Sequence, residues 1–255
     1  MAAPVAAFRF VLTCGVGPIA AAVLCGTALA APMTLHEAFM GGHFADRPTG
    51  PLIGRYQTDE GSVFILDRSP PKPLLKFEDD PEIWVLEPAH GPRGDIIYRN
   101  DLGEEMLRAT SLGGMTVFTV RRPAGSAAAF DGASPPLRLG PMSPGALLER
   151  FYQDTFRATR AARHEIIFET GKDAEPATAA AVADAAQVAT EALVDIAARP
   201  NGRLILSRIE DVVITQGGKP SVALQKGVLT VTIVAKAGVF GRPSSRRIEK
   251  AAGAP

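Results

Sequence analysis

The densest group of chemically capable side chains lies between His90 and Glu105. There His90, Arg93, Asp95, Arg99, Asn100, Asp101, Glu104 and Glu105 surround two glycine turns. Carboxylates that face each other across a cleft can serve as general acid and base on a glycan or peptide. Asp95 and Asp101 would be that pair, with Arg93 and His90 as their charged neighbours. A plainer reading is favoured, in which alternating charges on hairpin loops are solvated and paired across strands. The triplet Arg93-Gly94-Asp95 spells an adhesion motif, but three residues are too few to carry that meaning.

Other catalytic patterns fail on inspection. His164-Glu165 begins like a zinc-protease helix, but the position four residues after His164 is Phe168, so no second imidazole reaches a metal. The remaining histidines, His36, His43 and His90, have no ligand spacing, and no metal site is expected. Neither Gly61-Ser62 nor Gly125-Ser126 completes a nucleophile elbow. Gly113-Gly114 leads into a strand pattern and so builds no phosphate-binding helix terminus.

The elements that would position these residues divide the chain in two. Over 54–142 the pattern is β-rich. Short runs such as 55–58, 62–66, 74–77, 83–86, 96–98, 106–109 and 116–120 carry branched and aromatic residues between Gly, Pro, Asp and Asn. This spacing predicts an antiparallel short-strand sandwich or small barrel. Trp84, Phe64, Phe77, Tyr98 and Phe118 would sit in its core, or would line a ligand cavity. After residue 142 the period changes from 2 to 3.6. Ser143-Pro144 opens a helix reaching Arg163, with Leu147, Leu148, Phe151, Tyr152 and Thr155 or Phe156 as its apolar stripe. A strand over 164–169 follows, then an Ala-rich amphipathic surface helix over 175–198. Strands are expected at 204–206, 212–214, 222–224 and 228–234, the last two forming a hairpin. The class is therefore α+β: a sandwich or small barrel first, then two helices plus an antiparallel sheet over 143–237. Residues 238–255, rich in Gly, Pro, Ser, Arg and Ala, read as a disordered tail.

Residues 1–30 have a different character. Arg9 is their one cation, Phe10 to Ala30 carries no charge, and Ala28-Leu29-Ala30 supplies small residues at the positions a signal peptidase reads. Cleavage near Ala30 is expected, followed by a lead-in over 31–53. An uncleaved anchor is the alternative, since about 20 apolar residues can cross a bilayer. Both cysteines, Cys14 and Cys25, lie in this leader, so the rest of the chain has no thiol chemistry and no disulfide. Removing Arg9 from the 27 Lys and Arg leaves 26 against 27 Asp and Glu. That balance does not suit a nucleic-acid binder.

Three stretches carry a resemblance: Gly54 to Gly61 with Phe64 to Arg68, Leu74 to Phe77 with Pro81 to Leu86, and Arg93 to Asp101 running on to Gly113-Gly114-Met115-Thr116. They resemble an uncharacterised family of exported bacterial proteins, a domain of unknown function. The resemblance implies export and no particular activity. The expected function is thus that of a periplasmic or secreted protein that binds a protein or small-molecule partner outside the cytoplasm. It would use no cofactor and bind no nucleic acid, and it would touch membrane only through an uncleaved leader. The alternative is a periplasmic hydrolase acting on envelope glycan or peptide through its carboxylates.

Overall fold

The first half is a single antiparallel meander of nine short strands: β1 (Gly54–Thr58), β2 (Val63–Asp67), β3 (Leu74–Phe77), β4 (Ile83–Val85), β5 (Glu87–His90), β6 (Ile96–Arg99), β7 (Glu105–Ala109), β8 (Met115–Val117) and β9 (Ser126–Gly132). The computed structural model describes residues 50–171 and 175–254. The leader and most of the lead-in expected over 1–53 therefore lie outside the described residues. The sheet runs in the order β4-β3-β2-β1-β9-β8-β7-β6-β5. Its two edge strands are consecutive in the chain, with only Leu86 between them. A sheet whose edges meet at one residue must roll up, and the result is nearly closed.

Inward positions alternate with outward ones, as in the buried–exposed alternation of β1. Tyr98, Phe64, Leu66, Leu75, Leu86 and Leu107 are fully buried inside the roll. Tyr56 stacks on Phe64 at 5.3 Å, and Phe64 meets Phe77 at 6.0 Å. The aromatics are thus core filling. Phe118 is the exception: it lies under the Arg108 guanidinium, 5.9 Å from ring to cation. β5 was not foreseen, because Glu87-Pro88-Ala89-His90 has no apolar alternation; all four residues are exposed along an edge.

The second half begins with α1 (Pro144–Ala162), capped by Ser143, whose hydroxyl accepts the Ala146 N–H at 3.2 Å. α2 (Ala179–Ala197) follows, then the short α3 (Gly202–Leu206) and α4 (Ser245–Ala252). The strands are β10 (Ile167–Thr170), β11 (Asp211–Gln216), β12 (Ser221–Gln225) and β13 (Val228–Ile233), in the order β10-β11-β13-β12.

Four expectations for this half are corrected. The sheet is mixed rather than antiparallel: β10–β11 and β11–β13 are parallel, and only β12–β13 is antiparallel. α2 and α3 form the long crossover from β10 to β11 that a parallel pair requires. Residues 204–206 are helix, because Gly202 turns the chain so tightly onto α2 that a Cβ there would stand 1.8 Å from the Ile196 carbonyl oxygen. α2 is buried rather than superficial; its alanines let the sheet and α1 approach it closely from different sides. Finally, the described part of 238–255, through residue 254, is no disordered tail. A 3-10 segment (Ala235–Gly241) and α4 fold back, with Ile248 and Ala252 in the core around α2.

Two further devices complete the frame. β10 is an edge strand, and α1 lies along it: Thr155 and Thr159 hydroxyls accept the Phe168 and Ile166 N–H groups at 3.1 and 3.0 Å. An edge closed in this way offers no template to another strand. In the Pro/Gly-rich stretch before α1, the Leu137 N–H donates to Asp67 at 2.8 Å and ties the connection back to β2. The change of pattern near residue 142 therefore separates the two larger hydrophobic clusters, while a third, of Leu74, Ile83 and Val239, spans it within one compact unit, residues 48–255.

Leu86 joins the two edges and has no exposed surface. Leu86→Ala should cost about 2–4 kcal/mol in urea unfolding, whereas Ala at the outward-facing Leu112 should stay within about 0.5 kcal/mol of the unmodified chain.

Candidate functional site

The four side chains singled out for chemistry do not form one site. His90 ends β5, and Arg93 and Asp95 follow on the turn into β6; His90 and Arg93 are exposed. Among the described residues Asp95 accepts only a long contact, from the Ser111 N–H at 3.4 Å. Asp101 lies beyond the other end of β6. Six residues of extended chain place the two carboxylates about 20 Å apart, too far to share a proton or a substrate bond.

Asp101 is moreover already in use. It accepts the Ser244 hydroxyl, the Ser244 N–H at 3.2 Å and the Arg247 Nε–H at 2.7 Å. Ser244 is the N-cap of α4, so Asp101 fastens that helix to the β6–β7 turn. A depression of about 340 Å³ opens beside it, lined by Glu87, Arg99, Asn100, Asp101, Gly103 and Arg247. The polar groups of its lining are largely committed: Arg99 donates to the Gly103 carbonyl at 3.1 Å, and Asn100 to Glu104 at 2.7 Å.

The strongest electrostatic feature was not legible in the sequence. Arg242 is 7% exposed and sits between β4 and α2. It donates to Glu82 at 3.1 Å, to the Ile83 carbonyl at 2.9 Å, and to Asp184. Glu82 also accepts the Ser245 N–H at 3.2 Å. Burial pushes Glu82 up to about 7, against the pull of Arg242. Burial opposes the charge on Arg242, yet Asp184 and Glu82 outweigh it and hold the guanidinium above its ordinary value. A second cluster joins Glu249 of α4 to Arg199 and Arg246. Burial raises Glu249 too, and both arginines resist that shift.

α1 carries two more unusual groups. Its inward face presents Phe151, Asp154, Ala158 and Ala162. Asp154 has no exposed surface, and among the described residues neither of its oxygens has a partner within good hydrogen-bond geometry. Burial raises it to about 6, opposed first by the nearby Thr190 hydroxyl and then by Arg150 and Arg157. The outward face presents Leu148, Tyr152 and Phe156, which keep 56%, 65% and 65% of their surface open. The single apolar stripe expected for this helix is therefore split between two faces, one packed and one bare.

A family model described as Domain of unknown function (DUF4908) matches residues 35–252. The chain belongs to this family. The match ends in α4, so the folded C-terminal segment is part of the family's domain. No curated protein and no solved structure matches the chain. Among the described residues, no helix is long and apolar enough to cross a membrane, and no three His, Cys, Asp or Glu residues are grouped to hold a metal ion.

Two outcomes follow from the buried charges. Arg242→Ala leaves Glu82 buried and Asp184 partly buried without their counter-ion and should cost about 3–5 kcal/mol in chemical unfolding. Asp154 titrates near 3.8 when unfolded and about 6 when folded, so the native state holds the extra proton in between. Stability from this group is thus lost as pH rises from about 4 to about 6. Asp154→Asn should remove that slope and leave the variant on the order of 2–3 kcal/mol more stable than the unmodified chain at pH 7, with little gain at pH 4. Urea titrations at the two pH values check this.

Proposed function

We propose that this member of the family is an exported protein that works by binding a partner outside the cytoplasm and performs no chemistry of its own. The observation that carries the reading is the fate of its best carboxylates. Asp95 and Asp101 stand at opposite ends of β6, and Asp101 is engaged by Ser244 and Arg247. A glycosidase or carboxylate protease needs the two within one cleft. Support for a binding role comes from α1, whose outward apolar face of Leu148, Tyr152 and Phe156 stays largely exposed. Support for export comes from the leader-like layout of residues 1–30.

The protein purified from its host should begin at Ala31 by intact mass. It should leave envelope glycan and peptide substrates unaltered, as judged by chromatography of the products. Asp95→Asn should behave as the unmodified chain. Asp101→Asn should loosen α4, seen as faster proteolysis within residues 244–252, because it removes charge-assisted bonds of about 1.5–3 kcal/mol. Substrate turnover that disappears in both variants would establish the hydrolase in place of the binding protein.

A further inference from the structure

We infer that the outward face of α1 is a self-association surface, on which a second copy of this chain docks its own α1 antiparallel. The inference rests on the binding reading and names the partner.

Leu148, Tyr152 and Phe156 recur every fourth residue, so they advance about 40° per step and form one slanted stripe. Aromatic side chains carry about 150–250 Å² each, so at the observed exposures the stripe turns roughly 300–400 Å² of apolar surface outward. Its position is rigid. Phe151, Ala158 and Ala162, about 80–120° around the helix from Tyr152, seat it in the core, and Thr155 and Thr159, on the Leu148 side of Tyr152, bind it to β10 and the residue before it.

The charges beside the stripe are self-complementary. Glu149 and Arg160 both lie on the same flank, about 60° and 80° around from Tyr152. Arg160 makes no ion pair among the described residues, and Glu149 accepts only the Gln153 amide, at 3.1 Å. A two-fold axis keeps equal flanks together and reverses direction along the helix. Placed level with residues 154–155, it brings Glu149 opposite the partner's Arg160. The same placement sets Tyr152 within about 1.5 Å of the level of the partner's Phe156. One register therefore satisfies the apolar contacts and both ion pairs. A lipid surface fits less well, because Glu149 flanks the stripe and Glu165 and Glu169 are exposed just beyond the helix.

Doubled by the two-fold and widened by the flanks, the contact reaches the low end of specific interfaces, so the dimer is a weak one that dissociates in the micromolar range.

Sedimentation equilibrium of the protein purified from its host, across micromolar concentrations, tests this. A monomer–dimer equilibrium is expected. Tyr152→Glu should abolish it with the circular dichroism melt unchanged, since the residue faces solvent. Glu149→Arg and Arg160→Glu should each weaken the dimer by about tenfold or more, and the double reversal should restore it to within about threefold. A monomer at every concentration overturns the inference. So does a dimer indifferent to Tyr152→Glu, or a monomer that binds anionic phosphatidylglycerol vesicles through Tyr152. None of these outcomes touches the binding reading, which falls on substrate turnover instead.

Discussion

Arg242 is a full charge held away from water, and two other parts of the chain are arranged to make that tolerable. Its guanidinium meets Glu82 and the Ile83 carbonyl at β4 and Asp184 on α2. Transferring such a group into the interior costs several kcal/mol, recovered only where every donor finds a well-placed acceptor. The position of Arg242 thus depends on both halves being in place, and each half carries one carboxylate that pairs with Arg242, Glu82 in the first and Asp184 in the second. Glu82, raised to about 7, marks how close this balance is: two acids face one base, and burial favours a proton on one of them.

The remaining C-terminal contacts extend the same constraint. Ser244 and Arg247 hold Asp101, and Arg199 and Arg246 hold Glu249. The segment from Arg242 to Ala252 acts as a strap that runs from the edge of the nine-stranded sheet to the core around α2. Its apolar anchors are few, Ile248 and Ala252 chief among them, and its charges carry the specificity of docking. This explains why the strap reads as disorder in one dimension. Arg, Ser and Gly give no periodic apolar signal, and partners some 160 residues away in sequence are invisible to any local pattern.

Elsewhere legibility follows the same division. Strands whose side chains alternate inward, such as 62–66 and 228–233, were readable because burial imposes a period of two. β5 was not, since an exposed edge imposes none. The mixed sheet was missed because strand direction is decided by where the chain crosses over, and α2 looked superficial when its alanines in fact let it sit between layers. The polar cluster at 90–105 is visible in the sequence, where it reads as solvated hairpin charges paired across strands. What could not be seen was which partner each charge would find: Asp101 turned to α4, while Asp95 stayed at the far end of β6. On α1, apolar residues on two faces read as one stripe in sequence, because a helix wheel alone does not tell a packed face from a bare one.

The account stands on the strap and the sheet being one cooperative structure, and native-state hydrogen exchange measures that directly. Amides of α4 and of β3 paired with β4 should exchange by the same opening reaction, with equal free energies and equal dependence on denaturant. Exchange of α4 at the rate of an unstructured chain, with the sheet still protected, would contradict it.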